Sequence, residues 1–541
     1  MPSSLSPAIL SQEIDLTFRT QSIAGINGAF AGPFRWGPVE EPILITGGEE
    51  KLVSTFFTPD DNTEVSFLSA ADYLKYSDAL YVTRVTGPAA LNALPATESD
   101  GTTPTNAVLI KHKDHLDTLS ISGVPFLARC PGVLGNSIKV SIANSDVFST
   151  WDYVGKFTYA PTGTQFNMVV VDADGAITGT ANTVIETYEL LDLSSGAKKF
   201  DGSAAYFKEV LNQGSSYVFV PDASAVSYTS GVYEVTFQSG ADDNVYANVD
   251  YDAGYDFYEN PESLKCKFIF MGNAPAATVG TVVDYTEVRE DAMAYFSPPL
   301  AAVLNNKNSE VTDIVEYREV TTNKNSSYGV MDDNWKLVRN RYSDKNCWIP
   351  CNASVAGLHA QTHIKQEPWY SPAGFNRGQL KNVIKLAWNA KKAQRDSLYK
   401  ASVNSIVSFP GRGTVLYGDK TQLSLPSAFD RINVRSLFNH IKEDIVYSAQ
   451  ANLFEFNDEL TRSLFRNKNK AYLEDVQSRR GIQAFRVVCD ESNNTQQVID
   501  SNEFVGSIFV QPTKSINVIK LNFVATPTGV DFEEIEIVGF V

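Results

Sequence analysis

Three observations predict a multi-domain chain of mixed α/β and α+β architecture. Its 541 residues exceed what one hydrophobic core holds. Strand-like runs alternate with segments of helical spacing through the middle of the chain, whereas near the C-terminus helices come first and strands follow. Between these parts a stretch rich in Thr, Ser, Gly and Val breaks the alternation, which marks a β-rich insertion.

The composition supports that class and excludes others. Apolar residues make up 43% and charged residues 20%, ordinary values for a chain that builds cores unaided. Aromatics at 11%, with 24 Tyr and 31 Phe, favour β-rich domains and protein contact surfaces. No run approaches the ~20 apolar residues needed to span a bilayer. The opening residues lack the basic and apolar regions of a signal peptide. Cys130, Cys266, Cys347, Cys351 and Cys489 are too few for a disulfide framework and suit a reducing cytosol. A net charge of -18 argues against general nucleic-acid binding. Residues 371–490 are the exception, with 19 Lys and Arg against 11 Asp and Glu, while the remainder carries 26 against 52. A basic segment on an acidic body is suited to an acidic partner, or else it is an ordinary solvated face.

In chain order, residues 1–24 read as an extended arm. Pro2 and Pro7 discourage helix, and Ile14, Leu16 and Phe18 alternate with polar neighbours, so a terminal strand must pair with a sheet edge at home or on another molecule. Residues 25–90 begin a core domain, with strands at Ile43–Thr46 and Leu80–Val85 and a helical piece at Ala70–Tyr76. Residues 91–198 are the insertion, with turn signals at Asp100-Gly101 and Asp174-Gly175. Residues 199–370 resume the α/β core: a helix capped by Asp201 or Ser203, then strands at Lys267–Met271 and Ala292–Ser297. Residues 371–526 form an α+β domain. Its first helix is expected from Leu380, Val383, Ile384, Ala387 and Trp388, a second from Ile432 to Val446, and a third from Leu460 to Val476. Strands follow at Phe485–Val488, Phe504–Val510, Ile516–Ala525 and Phe532–Ile537. Residues 527–541 form a second terminal strand arm.

Several motifs invite chemistry. Cys347, Cys351, His359 and His363 have the donor types of a zinc site, with a middle spacing short of the usual finger. Gly413 to Thr421 approximates a phosphate-binding loop with one residue too many before Lys420, and a turn is the simpler reading. Asp172 and Asp174-Gly175 open like a calcium loop that lacks its closing glutamate, so a hairpin turn is expected. Asp250, Asp252, Asp256 and Glu259 form an acidic run whose default is a solvated loop. The expectation is no catalytic, cofactor or metal residue.

Longer strings carry a family resemblance. EIDLTFRTQSIAGINGAFAGPFRWGPVEEPILIT, ARCPGVLGNSIKV and REDAMAYFSPP resemble the tail sheath proteins of contractile-tailed bacteriophages. So do EPWYSPAGFNRGQLKNVIKLAWNAKKAQRDSLY, FPGRGTVLYGDKT, SAFDRINVRSLF, LFEFNDELTRSLF, RRGIQAFRVVCDESNNT and SINVIKLNFVAT, which fill most of 367–526. The resemblance covers nearly the whole chain and is weakest in the insertion. It implies a subtilisin-like core domain, a C-terminal domain facing an inner tail tube, and terminal arms that enter neighbouring subunits. The subunits would stack as six-membered rings that contract to drive the tube through the host envelope, with tube, baseplate and terminator proteins as partners. Localisation would be the virion tail, with assembly in host cytoplasm. The intersubunit residues would be Ile14, Leu16, Phe18, Ile535 and Ile537. Lys381, Lys385, Lys391, Lys392 and Arg395, on or just after the expected first helix of the C-terminal domain, would touch tube or ring. The alternatives are the sheath of a bacterial contractile injection system and a hydrolase of subtilisin-like fold, for which no serine stands in a recognisable nucleophile setting.

Overall fold

The computed structural model describes residues 27–95, 108–226 and 231–516. The chain forms two compact units, Met1–Phe456 and Asn457–Val541. Ile14, Leu16, Phe18, Ile535 and Ile537 lie outside the described residues, as do the Asp100-Gly101 turn and most of the two final expected strands.

The first unit opens with strand β1 (Gly28–Pro33), then β2 (Ile43–Thr46), helices α1 (Glu49–Phe56) and α2 (Glu64–Tyr73), and β3 (Ala79–Val85). β1 alternates small and large side chains because its two faces differ. Phe30 stacks on Phe270 at 4.8 Å on one face, while Ala29 and Ala31 pack into the opposite core. Gly28 is required here: a Cβ would lie 2.5 Å from the Tyr73 ring.

The insertion follows. β4 (Leu94–Pro95), α3 (Lys113–Thr118), β5 (Leu127–Ala128), β6 (Ile138–Asn144), β7 (Phe166–Asp172), β8 (Thr183–Leu191), α4 (Phe207–Gly214), β9 (Val218–Phe219) and β10 (Tyr233–Gln238) succeed one another. An antiparallel sheet of order β4-β10-β6-β7-β8 carries the domain, and β5 pairs with β9. This sheet runs past residue 198, the expected boundary, because β10 returns between β4 and β6 with strictly alternating burial. Neither Asp201 nor Ser203 caps α4, whose N-cap is Tyr206. Asp201 instead accepts from the Ser203 backbone at 2.9 Å, a local turn that competes with the helix start.

The core resumes with α5 (Asn248–Tyr255), β11 (Phe268–Phe270), α6 (Ala276–Arg289), β12 (Met293–Phe296), α7 (Leu300–Val303), α8 (Glu310–Glu316) and β13 (Gly329–Met331). The central sheet has order β13-β12-β11-β1-β3-β2, parallel except for β2. A parallel sheet needs both faces covered. The core that holds Phe30, Phe268 and Tyr295 takes α2 and the later helix α9 (Asn352–Lys365). The core that holds Ala29, Ile269 and Phe296 takes α5 and α6. β14 (Trp335–Asn340), β15 (Lys345–Pro350) and β16 (Lys385–Leu386) form a second, antiparallel sheet. Lys336 of β14 and Asp72 of α2 make a fully buried ion pair of 2.8 Å, with Ser354 also donating to Asp72. Helix α10 (Lys392–Lys400), the hairpin β17 (Ile406–Phe409) and β18 (Gly413–Leu416), and helix α11 (Ile432–Gln450) end the unit.

The second unit holds α12 (Glu459–Ser478), β19 (Ile482–Val488), α13 (Gln496–Asp500) and β20 (Ser507–Pro512). β19 and β20 form an antiparallel ribbon. Phe465, Leu473 and Val476 of α12 are buried, as their helical spacing predicts.

Candidate assembly surface

The five basic residues predicted to touch tube or ring do not share a helix. Residues 380–388 are a run of bends with one short strand, Lys385–Leu386, and contain no helix, which corrects the expected first helix. Their backbone donors serve other strands: Leu380 N–H bonds Thr414 O, Ile384 N–H bonds Leu337 O and Ala387 N–H bonds Trp335 O, all within 2.8–2.9 Å. The apolar spacing that imitates a helix arises because Leu380 and Trp388 are buried in two different cores while Ile384 is exposed. Only after Ala390 does α10 begin, with the Gln394 side chain accepting from the Lys391 N–H.

Their roles therefore separate. Lys381 is engaged within its own chain: its ammonium lies 4.5 Å from the Tyr76 ring centre and donates to Lys75 O. Lys385 lies 5.5 Å over Trp348 on the β14–β16 sheet. Lys391 and Lys392 are exposed at the start of α10. Arg395 donates to Ala390 O at 2.7 Å and lies 5.9 Å from both the Phe409 and Tyr417 ring centres.

Around Arg395 the structure assembles a surface that sequence spacing misses. Phe375, Phe409 and Tyr417 cluster with ring centres 5.3–6.2 Å apart, and Arg412 covers Phe375 at 4.9 Å. Phe375 is 41% exposed and Tyr417 47%. The Asn389 side chain ties this cluster to α10 by donating to Ser408 O and accepting from its N–H, both at 3.1 Å. Stacked guanidinium groups lose side-chain freedom in advance, which suits them to contact. The only cue in the sequence is SFPGRGTVLYG, a hairpin with an aromatic residue at each end.

The other motifs resolve as structure. Asp172 accepts from the Ile177 and Thr178 backbone, closing the hairpin turn between β7 and β8. Asn404 clamps the Gly413–Thr421 loop by bonding both N–H and C=O of Lys420. Cys351 lies among Asp332, Lys336 and Asp72, whereas His359 and His363 turn from α9 toward Tyr295 and α11. Among the described residues no group of three or more His, Cys, Asp or Glu is arranged to hold a metal ion.

Those histidines form a buried seam. His359 Nδ1 bonds the Tyr295 hydroxyl, and its Nε2 lies 3.2 Å from His363 Nε2, which is also 2.7 Å from Ser436 Oγ of α11. Burial lowers the His359 pKa to about 3. His363 is held well below its ordinary value by burial, then by His359, Lys267 and His440. Ser436 sits inside α11, where the neighbouring backbone N–H groups are committed to the helix and not turned toward this Ser–His contact. At the carboxyl ends of β12 and β13, where open α/β sheets bind ligands, Ser297 donates to Asp332 at 2.7 Å and accepts from Asn352 N–H at 3.1 Å. These groups are buried and spend those hydrogen bonds on one another.

The fold is of mixed α/β class with a parallel central sheet, and sequence families match it along most of the chain. The family model described as the phage tail sheath protein central domain matches residues 244–422, and that of the phage tail sheath C-terminal domain matches 424–526. The tail sheath protein of Salmonella phage ViI is 33% identical across 98% of both chains. That of Vibrio phage KVP40 is 33% identical across 98% of this chain and 99% of its own. The chain belongs to the phage tail sheath protein family. A sheath tail protein from Listeria innocua, only 13% identical, shares the fold with a TM-score of 0.57 over 90% of this chain and 95% of its own. The matched central domain ends near 422, so residues 371–422 group with it by sequence and not with the expected C-terminal domain.

Proposed function

We propose that this chain is a structural subunit of a contractile phage tail sheath. It stacks as six-membered rings around an inner tail tube and shortens to drive the tube through the host envelope. Family membership over nearly the full length carries this reading. The parallel core corresponds to the subtilisin-like domain, used as scaffold and not as a hydrolase. Tube, baseplate and terminator proteins are the partners, and the virion tail is the location, reached from host cytoplasm.

The β19–β20 ribbon supports an exchange of strands between subunits. Among the described residues each of its strands has one neighbour, and a two-stranded ribbon is marginal alone. Residues 1–24, through Ile14, Leu16 and Phe18, and residues 527–541, through Ile535 and Ile537, are the strands that extend such ribbons in adjacent copies. Burying three such side chains gains roughly 1.5–3 kcal/mol each. Ordering six or so residues costs about 1–2 kcal/mol each. The near balance keeps single subunits apart until several contacts form together. Electron microscopy of the purified protein tests the reading: striated hollow tubes are expected. Failure of the intact chain to form them under any assembly condition overturns it. Long tubes from a chain lacking residues 1–20 overturn the arm assignment alone.

A further inference from the structure

The arginine–aromatic surface has a counterpart on the same unit. Helix α5 and the turn after it present Asp252, Asp256 and Glu259 beside Tyr285 of α6, whose hydroxyl donates to Asp256 at 2.5 Å. Burial first, and then these three carboxylates, push the Tyr285 phenol up, which places them together. Asp256 and Glu259, both exposed, carry the acidic face outward. Apolar side chains stand among the charges: Val249 is 68% exposed, Phe257 40% and Val288 75%. The opposing surface has the same plan with the sign reversed, with Lys391, Lys392, Arg395 and Arg412 around Phe375 and Tyr417. Among the described residues none of these four cations is in an ion pair with a carboxylate.

We infer that these surfaces dock on each other between copies of this chain, the α5–α6 acidic face of one subunit on the arginine–aromatic patch of the next. The inference rests on the sheath reading and names one of its contacts. Two different surfaces that complement each other make a head-to-tail contact, which propagates into rings or helices and does not close as a dimer. Charge selects partner and register, and the apolar side chains among the charges supply desolvated area. Neither surface needs the other within its own subunit, so both remain available before assembly.

Charge exchange tests it. Lys392→Glu with Arg412→Glu is one variant, and Asp256→Lys with Glu259→Lys is another. All four positions are exposed, and circular dichroism and thermal melting confirm that each variant folds. The expected result is loss of tubes in each variant, with tubes restored when the two are mixed and when all four changes occupy one chain. Normal tubes from either variant overturn the inference. So does failure of the folded four-change chain, which assigns the basic patch to a different partner. Either result leaves the sheath reading standing as long as the unaltered chain forms tubes.

Discussion

Replacing His359 by Gln tests the histidine seam through its dependence on pH. The neutral imidazole is favoured in the folded chain, where its pKa is about 3, against ~6.5 unfolded. A depressed folded value means that the unfolded chain binds the proton more readily. Stability from this group is therefore complete above the unfolded value and falls as pH drops toward the folded one. At about pH 5 the loss is ~2 kcal/mol, from roughly 1.4 kcal/mol for each of about 1.5 pH units. The unaltered protein alone does not reveal it, because Asp333 acts in the opposite sense. Burial raises that carboxyl to about 7, so its protonation on acidification stabilises the fold by a comparable ~2 kcal/mol. The informative quantity is the stability difference between the original chain and His359→Gln, measured by urea denaturation of the unassembled protein. The variant starts lower near neutrality because it leaves the Tyr295 and His363 contacts unmade. The gap should narrow by about 2 kcal/mol between roughly pH 7.5 and pH 5. A constant gap refutes the account of this histidine as a buried neutral base.

Three further outcomes are expected. Lys336→Met leaves the buried Asp72 carboxyl without its fully buried partner, which should cost about 3–5 kcal/mol in urea denaturation, and adding Asp72→Leu should recover most of that loss. Gly357→Ala would ordinarily stabilise a helix by up to ~1 kcal/mol, yet its Cβ would lie 2.6 Å from the Tyr76 ring. Lys381 pins that ring through its N–H on the hydroxyl and its ammonium on the face, so a net loss of about 1–3 kcal/mol is expected in a thermal melt. The five cysteines are free and buried, with burial raising Cys130 to about 11 and Cys266 to about 12. A thiol reagent at mildly alkaline pH should titrate them slowly in the native chain and all five rapidly in denaturant.

Much of the fold was legible where a residue's neighbours in sequence decide its environment. Ile43–Thr46 and Leu80–Val85 lie in strands as read, and the spacing from Ile432 and from Leu460 becomes α11 and α12. Reading failed where distant partners decide. Leu380 to Trp388 match a helical stripe, yet strands some 30 to 50 residues away take their N–H groups. At Asp201 and Ser203 two polar side chains could cap a helix but satisfy each other instead. Of the candidate surface, Lys391, Lys392 and Arg395 were visible as charge. Phe375, Phe409, Arg412 and Tyr417 were not, because only the fold of the β17–β18 hairpin onto α10 brings them to one place.

The position of β1 has a mechanical consequence. Gly28, the first residue of β1, already lies between two neighbours, in parallel register with β3 through six residue pairs and with β11 on the other side. Tension applied to β1 along its own axis loads both of these pairings at once. Loaded in this way, the ladder resists in shear, with its rungs sharing the tension, whereas an outermost strand pulled sideways would unzip one rung at a time. The unit is anchored to whatever grips its leading end by its middle strand.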